Sequence, residues 1–304
     1  VGRPMSKEKI QSGGRMYILT AILVFLATLV VGCVMENWLL RRNARKILGQ
    51  MESVYSGVHE YAVADCRRFS GLDLHFYDDN AAFLLGEKFV LLGDVENVTV
   101  SLAFPSSRTF IRNLVSEDGF ISAGMYYVNP RGLSGLIMKL LLRMGAKGYI
   151  DLETEVRSEW TMKDADGREQ RMERSYFIVT SNAELSGRMQ HPPQFFNEFF
   201  PDSTPVQTLL ARHRERVEKV RCLLESERMD RLVEMRTLAD TRAMQNRMEL
   251  LKADFRRRVG MITSQELSRI GGVELTEEAD RLYEAIQSEK IDRYSSGKRV
   301  PPTR

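Results

Sequence analysis

GYIDLETEVRSEWTM at residues 148–162 and QRMERSYFIVT at residues 170–180 decide the fold of this 304-residue chain. Apolar and polar residues alternate along both segments, which is typical of strands with one buried face. One face of the first segment carries Ile150, Leu152, Thr154, Val156, Ser158, Trp160 and Met162. The matching face of the second carries Met172, Tyr176 and Ile178. Because the turn-forming residues DADG (164–167) separate the segments, the sequence predicts a long antiparallel hairpin.

Shorter apolar runs on the N-terminal side of this hairpin predict further strands. They lie at residues 72–77, 88–92, 95–102 and 120–128. Between the first two, residues 78–86 fit a single capped helical turn. An apolar stripe at helical spacing over residues 129–143 favours a core helix over a helix lying on a membrane. These elements predict an α+β fold class, with a small antiparallel-sheet domain and flanking helices.

Residues 206–259 contain neither proline nor glycine and are rich in Glu, Arg, Leu and Met. A continuous helix of that length would run roughly 80 Å, which is longer than a compact domain can cover. Its apolar residues follow heptad-like steps, so we predict a long C-terminal α-helical arm with coiled-coil character. The residues predicted to bind a partner along this arm are Leu224, Leu232, Met235, Met248, Leu251 and Phe255.

MYILTAILVFLATLVVGCVM, at residues 16–35, contains no charged side chain. A helix of about twenty residues spans roughly 30 Å, the thickness of the hydrocarbon core of a bilayer. The segment therefore predicts a single transmembrane helix in contact with the lipid bilayer. A bacterial lipoprotein site at Cys33 is an alternative, but the apolar run continues beyond that residue. Basic and aromatic residues typical of a membrane interface flank the segment, namely Arg15, Tyr17, Trp38, Arg41 and Arg42.

Charge and composition restrict the classes of partner. Lys and Arg number 44 against 41 Asp and Glu, and the net charge of +3 argues against nucleic acid as a partner. With 43% hydrophobic and 28% charged residues, most of the chain has the composition of a globular protein.

Motifs for chemistry are missing from the sequence. It contains no phosphate-binding glycine loop, no paired-histidine metal motif and no nucleophile elbow. We therefore predict no catalytic residue, cofactor, metal or small-molecule substrate, and an enzyme with an unrecognised site stays an alternative. Cys66 and Cys222 form a disulfide in an oxidising compartment or, as is commoner for two isolated cysteines, remain free thiols.

Three short motifs follow the apolar segment in order: LLGEKF at 84–89, GAKGYIDLETEV at 145–156 and YFIVTS at 176–181. This arrangement resembles a small mitochondrial inner-membrane family. Its members include the presequence-translocase accessory subunit that faces the intermembrane space and a related cytochrome oxidase assembly factor. In that family a Leu-Gly motif ends a helix and a Gly-x-Lys-Gly turn begins a strand. The matching positions in this chain are Gly86, Gly145, Lys147 and Gly148.

The resemblance implies a mitochondrial inner-membrane address and a domain that contacts other proteins. We therefore predict a non-catalytic accessory subunit of an inner-membrane complex, with the respiratory chain favoured and other subunits of that complex as partners. An accessory factor in protein import or oxidase assembly is one alternative, and a bacterial membrane-anchored envelope protein with a coiled-coil arm is another. The chain starts at Val1, which a cleaved targeting sequence or a shortened chain would each explain.

The predicted organisation has six parts. They are a basic segment (1–15), a transmembrane anchor (16–40), a connecting helix (41–71), an α+β domain (72–200), a long helical arm (201–262), and a short helix with a basic tail (263–304).

Overall fold

The computed structural model describes residues 35–129, 146–227, 230–271 and 281–288, apart from residues 36, 37, 40, 43, 47, 164, 165, 167 and 282. Residues 49–280 form one compact unit, and the described residues on either side of it belong to a second. In the second unit the described residues 35–48 are helical, and Ala44, Leu48 and Ile286 are buried. The sheet, the projecting hairpin, the polar floor and the surface pocket described below all lie in residues 49–280.

The described part of this unit is built on an eight-stranded sheet in which neighbouring strands follow chain order from β1 to β7, with β8 paired to β5. All pairs are antiparallel except β6 with β7, which is parallel. The strands are β1 (Tyr61–Val63), β2 (Phe89–Asn97), β3 (Ile111–Ser116), β4 (Ser122–Val128), β5 (Lys147–Lys163), β6 (Glu169–Ser181), β7 (Phe195–Phe199) and β8 (Asp230–Leu232). The helices are α1 (Leu74–Gly86), α2 (Val98–Ala103), α3 (Val206–Glu227), α4 (Leu238–Val259) and α5 (Ser264–Gly271).

The predicted hairpin is confirmed. β5 and β6 pair in a continuous antiparallel register from Asp151 opposite Ser181 to Lys163 opposite Glu169. Even-numbered residues of β5 face one side of the sheet, as the alternation predicted, and Ile150 and Leu152 are buried there.

Helices α1 and α3 cover this first face of the sheet. Tyr77 of α1 is fully buried, and its hydroxyl oxygen accepts a hydrogen bond from the amide of Tyr127 (2.8 Å) and donates to the carbonyl of Phe110 (3.0 Å). These bonds join α1 to β4 and to the start of β3. The buried core on this face comprises Tyr77, Ala81, Leu84, Phe89, Phe110, Leu114, Ile121, Ala123, Met125, Ile150, Leu152, Val206, Leu209 and Leu210.

Helix α4 packs on the opposite face. A capping box of Thr237 and Asp240 begins the helix, and Gly260 ends it in the left-handed conformation (φ 89°). The apolar contacts beneath it join Val115, Phe177, Val179, Phe195, Met235, Met244 and Met248. Helices therefore cover the sheet on both faces. The alternating pattern of β5 instead predicted that its odd-numbered residues would face solvent.

The predicted fold class is wrong in three respects, although the described residues do form an α+β fold. The sheet is large rather than small. The predicted long helical arm is instead two helices of 22 residues, because β8 interrupts it by pairing with β5, and its predicted coiled-coil character is not supported. Among the described residues no helix is both long and apolar enough to cross a membrane, so the single-pass transmembrane component is not supported. Residues 16–34 of the predicted anchor lie outside the described part of the chain.

Smaller predictions also change. The strand predicted at residues 72–77 is the beginning of α1, because the Asp73 side chain accepts hydrogen bonds from the amides of His75 and Phe76 and so caps a helix. The strand predicted at 95–102 divides into the end of β2 and helix α2. Cys66 and Cys222 are both free. The helix predicted at residues 129–143 lies outside the described residues, apart from Asn129.

Candidate functional site

The far end of the β5–β6 hairpin extends beyond the rest of the sheet. Residues 159–163 of β5 and 169–173 of β6 pair only with each other, since β4 ends its pairing with β5 at Glu153 and β8 pairs with residues 156–158. Five residues of extended chain reach about 17 Å. We call this part of the hairpin, residues 159–173, the projecting hairpin.

One face of the projecting hairpin carries three large apolar side chains together with Gln170, which lies opposite Met162. Trp160 lies directly opposite Met172, and Met162 follows on the same face because alternate residues of a strand share a face. Met162 is 55% exposed and Met172 is 37% exposed. The guanidinium of Arg174 lies 5.6 Å from the centre of the Trp160 ring, a cation–π distance. Large apolar side chains held on an extended β-ribbon are typical of a surface that binds another protein.

The other face of the projecting hairpin is charged and internally paired. Arg171 contacts Glu159, Arg231 of β8 lies 2.9 Å from the same carboxylate, and Arg157 lies 2.7 Å from Glu173. These ion pairs keep the two faces chemically distinct, one apolar and one hydrated.

A second feature lies under α4, at the middle of the sheet. Gly124 of β4 is flanked across the strands by Asn113 of β3 and Asp151 of β5, and along its own strand by Ser122 and Tyr126. All four neighbours on this face are polar. A Cβ placed on Gly124 would meet a single atom within 4 Å, the Cγ2 of Ile111 at 3.6 Å, so space lies above the glycine. We call these five residues the polar floor.

Two side chains of the polar floor hold oxygen atoms that find no hydrogen-bond partner. Asn113 is fully buried and its Nδ2 donates to the carbonyl of Ile111 (3.1 Å), which leaves Oδ1 unpaired. Ser122 is 1% exposed and its Oγ is also unpaired. Buried polar atoms of this kind cost free energy unless water or a ligand contacts them.

Carboxyl groups line the β5 side of the polar floor. Burial raises the pKa of Asp151, and hydrogen bonds from Ser181 and Tyr126 oppose that rise. Glu153, the next residue on the same face, has its pKa raised to about 8 by burial and by the negative charge of Asp151. Burial also raises the pKa of Tyr126 well above its ordinary value. Titratable side chains with shifted pKa values are therefore concentrated at the β5 side of the polar floor, as is common in binding and catalytic sites.

Helix α4 contributes charged groups above this side of the sheet. Lys252 Nζ lies 2.9 Å from Glu249 Oε1, and the charges of Glu249 and Glu153 raise the pKa of Lys252 against the effect of its burial. Tyr61 of β1 is close enough to Glu249, Lys252, Glu153 and Arg242 for their charges to act on its pKa, which burial raises. The side chains of Glu249 and Lys252 are 16% and 30% exposed, so this cluster reaches solvent.

A neighbouring carboxylate fixes α4 to the sheet. Glu155 of β5 is fully buried and accepts hydrogen bonds from Arg247 Nε (3.0 Å) and Nη2 (2.5 Å) of α4, and from Ser175 Oγ (2.7 Å). Arg157 adds a further contact at 3.2 Å. The bidentate hydrogen bonding of Arg247 to Glu155 fixes the position of α4 above the polar floor.

The partner-binding residues predicted along the helical arm are mostly used within the chain. Met235 and Met248 are 1% and 2% exposed in the core beneath α4, so they are not available to another chain. Leu251 packs against that core, and Leu232 packs near Val156, both half-buried. Phe255 is half-buried on α4. The side chain of Leu224 lies outside the described residues.

The other predicted site residues fall at different places. Trp38, Arg41 and Arg42 are exposed, and Arg42 lies 5.4 Å from the Trp38 ring centre. Arg15 and Tyr17 lie outside the described residues, as does Gly145.

The described residues of the family-like turn motif occupy the ends of elements. Gly86 is the last residue of α1, and Lys147 is the first residue of β5 and contacts Asp202. A Cβ on Gly148 would lie 2.3 Å from the Phe76 ring, so only glycine allows α1 to pack this closely on the sheet.

A surface pocket of about 320 Å³ lies between the end of α1, the β3–β4 turn and α3. Its charged lining is paired, since Arg214 lies 2.7 Å from Glu87 and Lys88 lies 3.7 Å from Glu117. In the part of the chain that the structure describes, no group of three or more His, Cys, Asp or Glu side chains is arranged to hold a metal ion. Comparison with known proteins finds no matching family model, no matching curated protein and no matching solved structure.

Proposed function

We propose that this chain is a non-catalytic accessory protein that binds another protein through the apolar face of the projecting hairpin. The observation that supports the proposal best is the exposure of Met162 and Met172 beside Trp160, on a ribbon that no other described strand accompanies. Residues that stabilise the domain itself would be buried in its cores. Met162 and Met172 instead present exposed apolar surface on a two-stranded ribbon, beside the half-buried Trp160.

The surface fits a partner with an apolar patch bordered by acidic groups. Trp, Met and Arg are the side chains enriched in the centres of protein interfaces, and Arg174 stacked on Trp160 supplies a cation within the apolar face. The partner is therefore proposed to insert apolar side chains against Trp160 and Met172 and to place a carboxylate near Arg174.

A mitochondrial location belongs to the same proposal, on the strength of the LLGEKF, GAKGYIDLETEV and YFIVTS motifs alone. The enclosing assembly would then be a mitochondrial complex, and the protein a subunit or an assembly factor of it. Fractionation of cells that express the full-length protein tests this part separately.

The binding proposal is tested by tagging the full chain, purifying it gently from its source cells and identifying the co-purifying proteins. The test variant replaces Met162 and Met172 with Glu, which leaves buried residues untouched. The control replaces Leu102 with Glu, since Leu102 is an equally apolar side chain, 76% exposed, on a different element. We expect a stoichiometric partner with the wild type and the control, and loss of at least nine-tenths of it with the test variant. Equal recovery with both variants would show that the hairpin is not the binding surface.

A further inference from the structure

The polar floor has the layout of a small-molecule site rather than of a packed core. A strand interior normally buries apolar side chains against the covering helix, and glycine there weakens the strand unless something approaches it closely. At Gly124 the nearest side-chain atom to an added Cβ is 3.6 Å away, and polar neighbours surround it on four sides. A polar space of this kind holds ordered water or a ligand, because apolar contacts do not fill it.

The unpaired atoms around this space show what a ligand must offer. Asn113 Oδ1 is an acceptor without a donor, and Ser122 Oγ has neither a donor nor an acceptor. Asp151 lies on the opposite side of Gly124 from Asn113, so a donor group above the glycine meets oxygen atoms on both sides. Several N–H donors on one small group satisfy this arrangement, and a protonated amine carries three.

The charges around the space favour a cation. Three carboxyl groups, Asp151, Glu153 and Glu249, lie in this cluster with two basic side chains, Arg242 and Lys252, and His59 lies 3.8 Å from the Glu249 carboxylate. With His59 neutral, full ionisation of the other five groups leaves one negative charge in excess. The protein alone balances this excess by keeping a proton on Glu153. An ammonium group supplies the same charge and more hydrogen bonds.

Helix α4 adds unpaired polar atoms, which are donors on Arg242 and the side-chain oxygens of Gln245 and Asn246. Arg242 carries two buried guanidinium atoms, Nε and Nη2, without a hydrogen-bond partner. Its charge acts on the pKa of Tyr61 less strongly than those of Glu249, Lys252 and Glu153, so we place Arg242 at the edge of the same cluster. Guanidinium groups bind hydroxyl and carboxylate oxygens well.

We propose that the polar floor binds a small molecule that carries a protonated amine next to a hydroxyl or carboxylate group, as amino alcohols and amino acids do. The amine lies above Gly124, between Asn113 and Asp151, and its oxygen-bearing end points toward Arg242. The partly exposed side chains of Glu249 and Lys252 mark the side from which the ligand enters. This site is separate from the projecting hairpin, so either proposal stands without the other.

The test is a titration of the full-length protein with ethanolamine and with L-serine, followed by calorimetry and by chemical-shift changes in NMR spectra. Ethylene glycol and glycolate serve as matched ligands without the amine. For ligands of this size we expect a Kd on the order of 0.1–1 mM for at least one of the two amines, and no saturable binding of the amine-free pair. An absence of saturable amine binding would show that the polar floor holds only water.

Two variants locate the binding. Gly124→Ala adds one methyl group into the space without a clash, and Gly86→Ala is the matched control because a Cβ there meets nothing within 4 Å. We expect at least a tenfold weaker amine affinity for Gly124→Ala and for Asp151→Asn, with unchanged affinity for Gly86→Ala. Thermal melting of each variant checks folding, and because Gly124→Ala avoids steric conflict it stays informative if Asp151→Asn unfolds. Amine binding that Gly124→Ala leaves intact would place the ligand elsewhere and overturn the assignment.

Proton release provides an independent measurement. The titratable groups around Glu153 are Asp151 on its own strand, Tyr126 of β4, Tyr61 of β1, and Glu249 and Lys252 of α4. Because the pKa of Glu153 is about 8, binding of a cation at neutral pH displaces its proton. Amine affinity therefore rises by up to about tenfold per pH unit between pH 6 and 8, and calorimetry in buffers of different ionisation enthalpy detects up to one proton released per ligand. Glu153→Gln removes both effects, and a pH-independent affinity in the wild type would contradict the proposed position of the amine.

Discussion

Replacing Arg247 with Met tests how α4 is held to the sheet. The change keeps an unbranched apolar stem but removes the guanidinium and both of its hydrogen bonds to Glu155, whose carboxylate is fully buried. Breaking a buried ion pair by removing one partner typically costs about 3–5 kcal/mol, because the remaining charge stays desolvated. Here Ser175 and Arg157 still contact the carboxylate, and the Arg247 side chain is itself 34% exposed. We therefore expect a loss of about 2–3 kcal/mol in the free energy of unfolding, below that range.

The assay is urea denaturation followed by circular dichroism, with the slope of the transition compared between proteins to check two-state behaviour. The control is Arg258→Met, the same substitution on the same helix. Arg258 and Asp254 form an exposed pair, 63% and 54% accessible, which should contribute less than about 1 kcal/mol. If Arg247→Met costs no more than Arg258→Met, the Glu155 contact does not hold the helix, and the position of α4 above the polar floor needs another explanation.

Three further predictions concern the packing of α1 and the response to pH. Gly148→Ala forces its methyl group into the Phe76 ring and should lower the free energy of unfolding by about 1–3 kcal/mol in the same urea assay, whereas Gly86→Ala should change it little. His213 is fully buried between Thr154 and Thr180, and burial lowers its pKa to about 3. Between about pH 6.5 and pH 3 the unfolded chain therefore binds a proton at this histidine that the folded chain does not bind. The free energy of unfolding consequently falls by up to about 1.4 kcal/mol per pH unit as the pH drops through this range. Glu153 has the opposite effect on the pH dependence of stability. Because its pKa is raised, the folded chain keeps a proton that the unfolded chain loses, so the free energy of unfolding falls as the pH rises from about 4.5 to about 8. Melting temperatures measured from about pH 3 to about pH 8 test both assignments. Glu153→Gln should reduce the loss of stability at alkaline pH, and His213→Gln should reduce the loss at acid pH. A variant with the same pH dependence as the wild type would refute the corresponding assignment.

The sequence was most informative where one physical preference acts alone. The alternation of apolar and polar residues along 148–162 depends only on the burial of one strand face. The observed register of β5 with β6 agrees with this alternation. The apolar run at residues 72–77 is short enough to suit a strand or a helix, and the Asp73 cap decides for the helix.

The break between α3 and α4 depends on contacts distant in the sequence. Residues 206–259 have no helix-breaking residue, yet β8 forms because Val156 pairs with Leu232 and the amide of Met235 donates to the carbonyl of Gly119 (2.8 Å). A local signal did exist in Thr237 followed by Asp240, which is a capping box within the predicted helix.

The polar floor was beyond sequence reasoning for a different reason. Asp151, Glu153 and Glu155 occupy alternate positions of a strand, a pattern that indicates a solvent-exposed face. Only the packing of α4 over that face turns them into partly or fully buried groups. Gly124 is one glycine among 21, and its role follows from its neighbours across the sheet.

The most direct test of the central claim, that the projecting hairpin binds a partner protein, is site-specific photo-crosslinking in intact cells. A photoreactive amino acid placed at Met162 is compared with the same residue at Leu102, since both side chains are more than half exposed. We predict one discrete cross-linked protein from position 162, absent at position 102 and lost when Trp160 is changed to Ala. A cross-linking pattern at position 162 that matches position 102, or that persists in Trp160→Ala, would contradict the account.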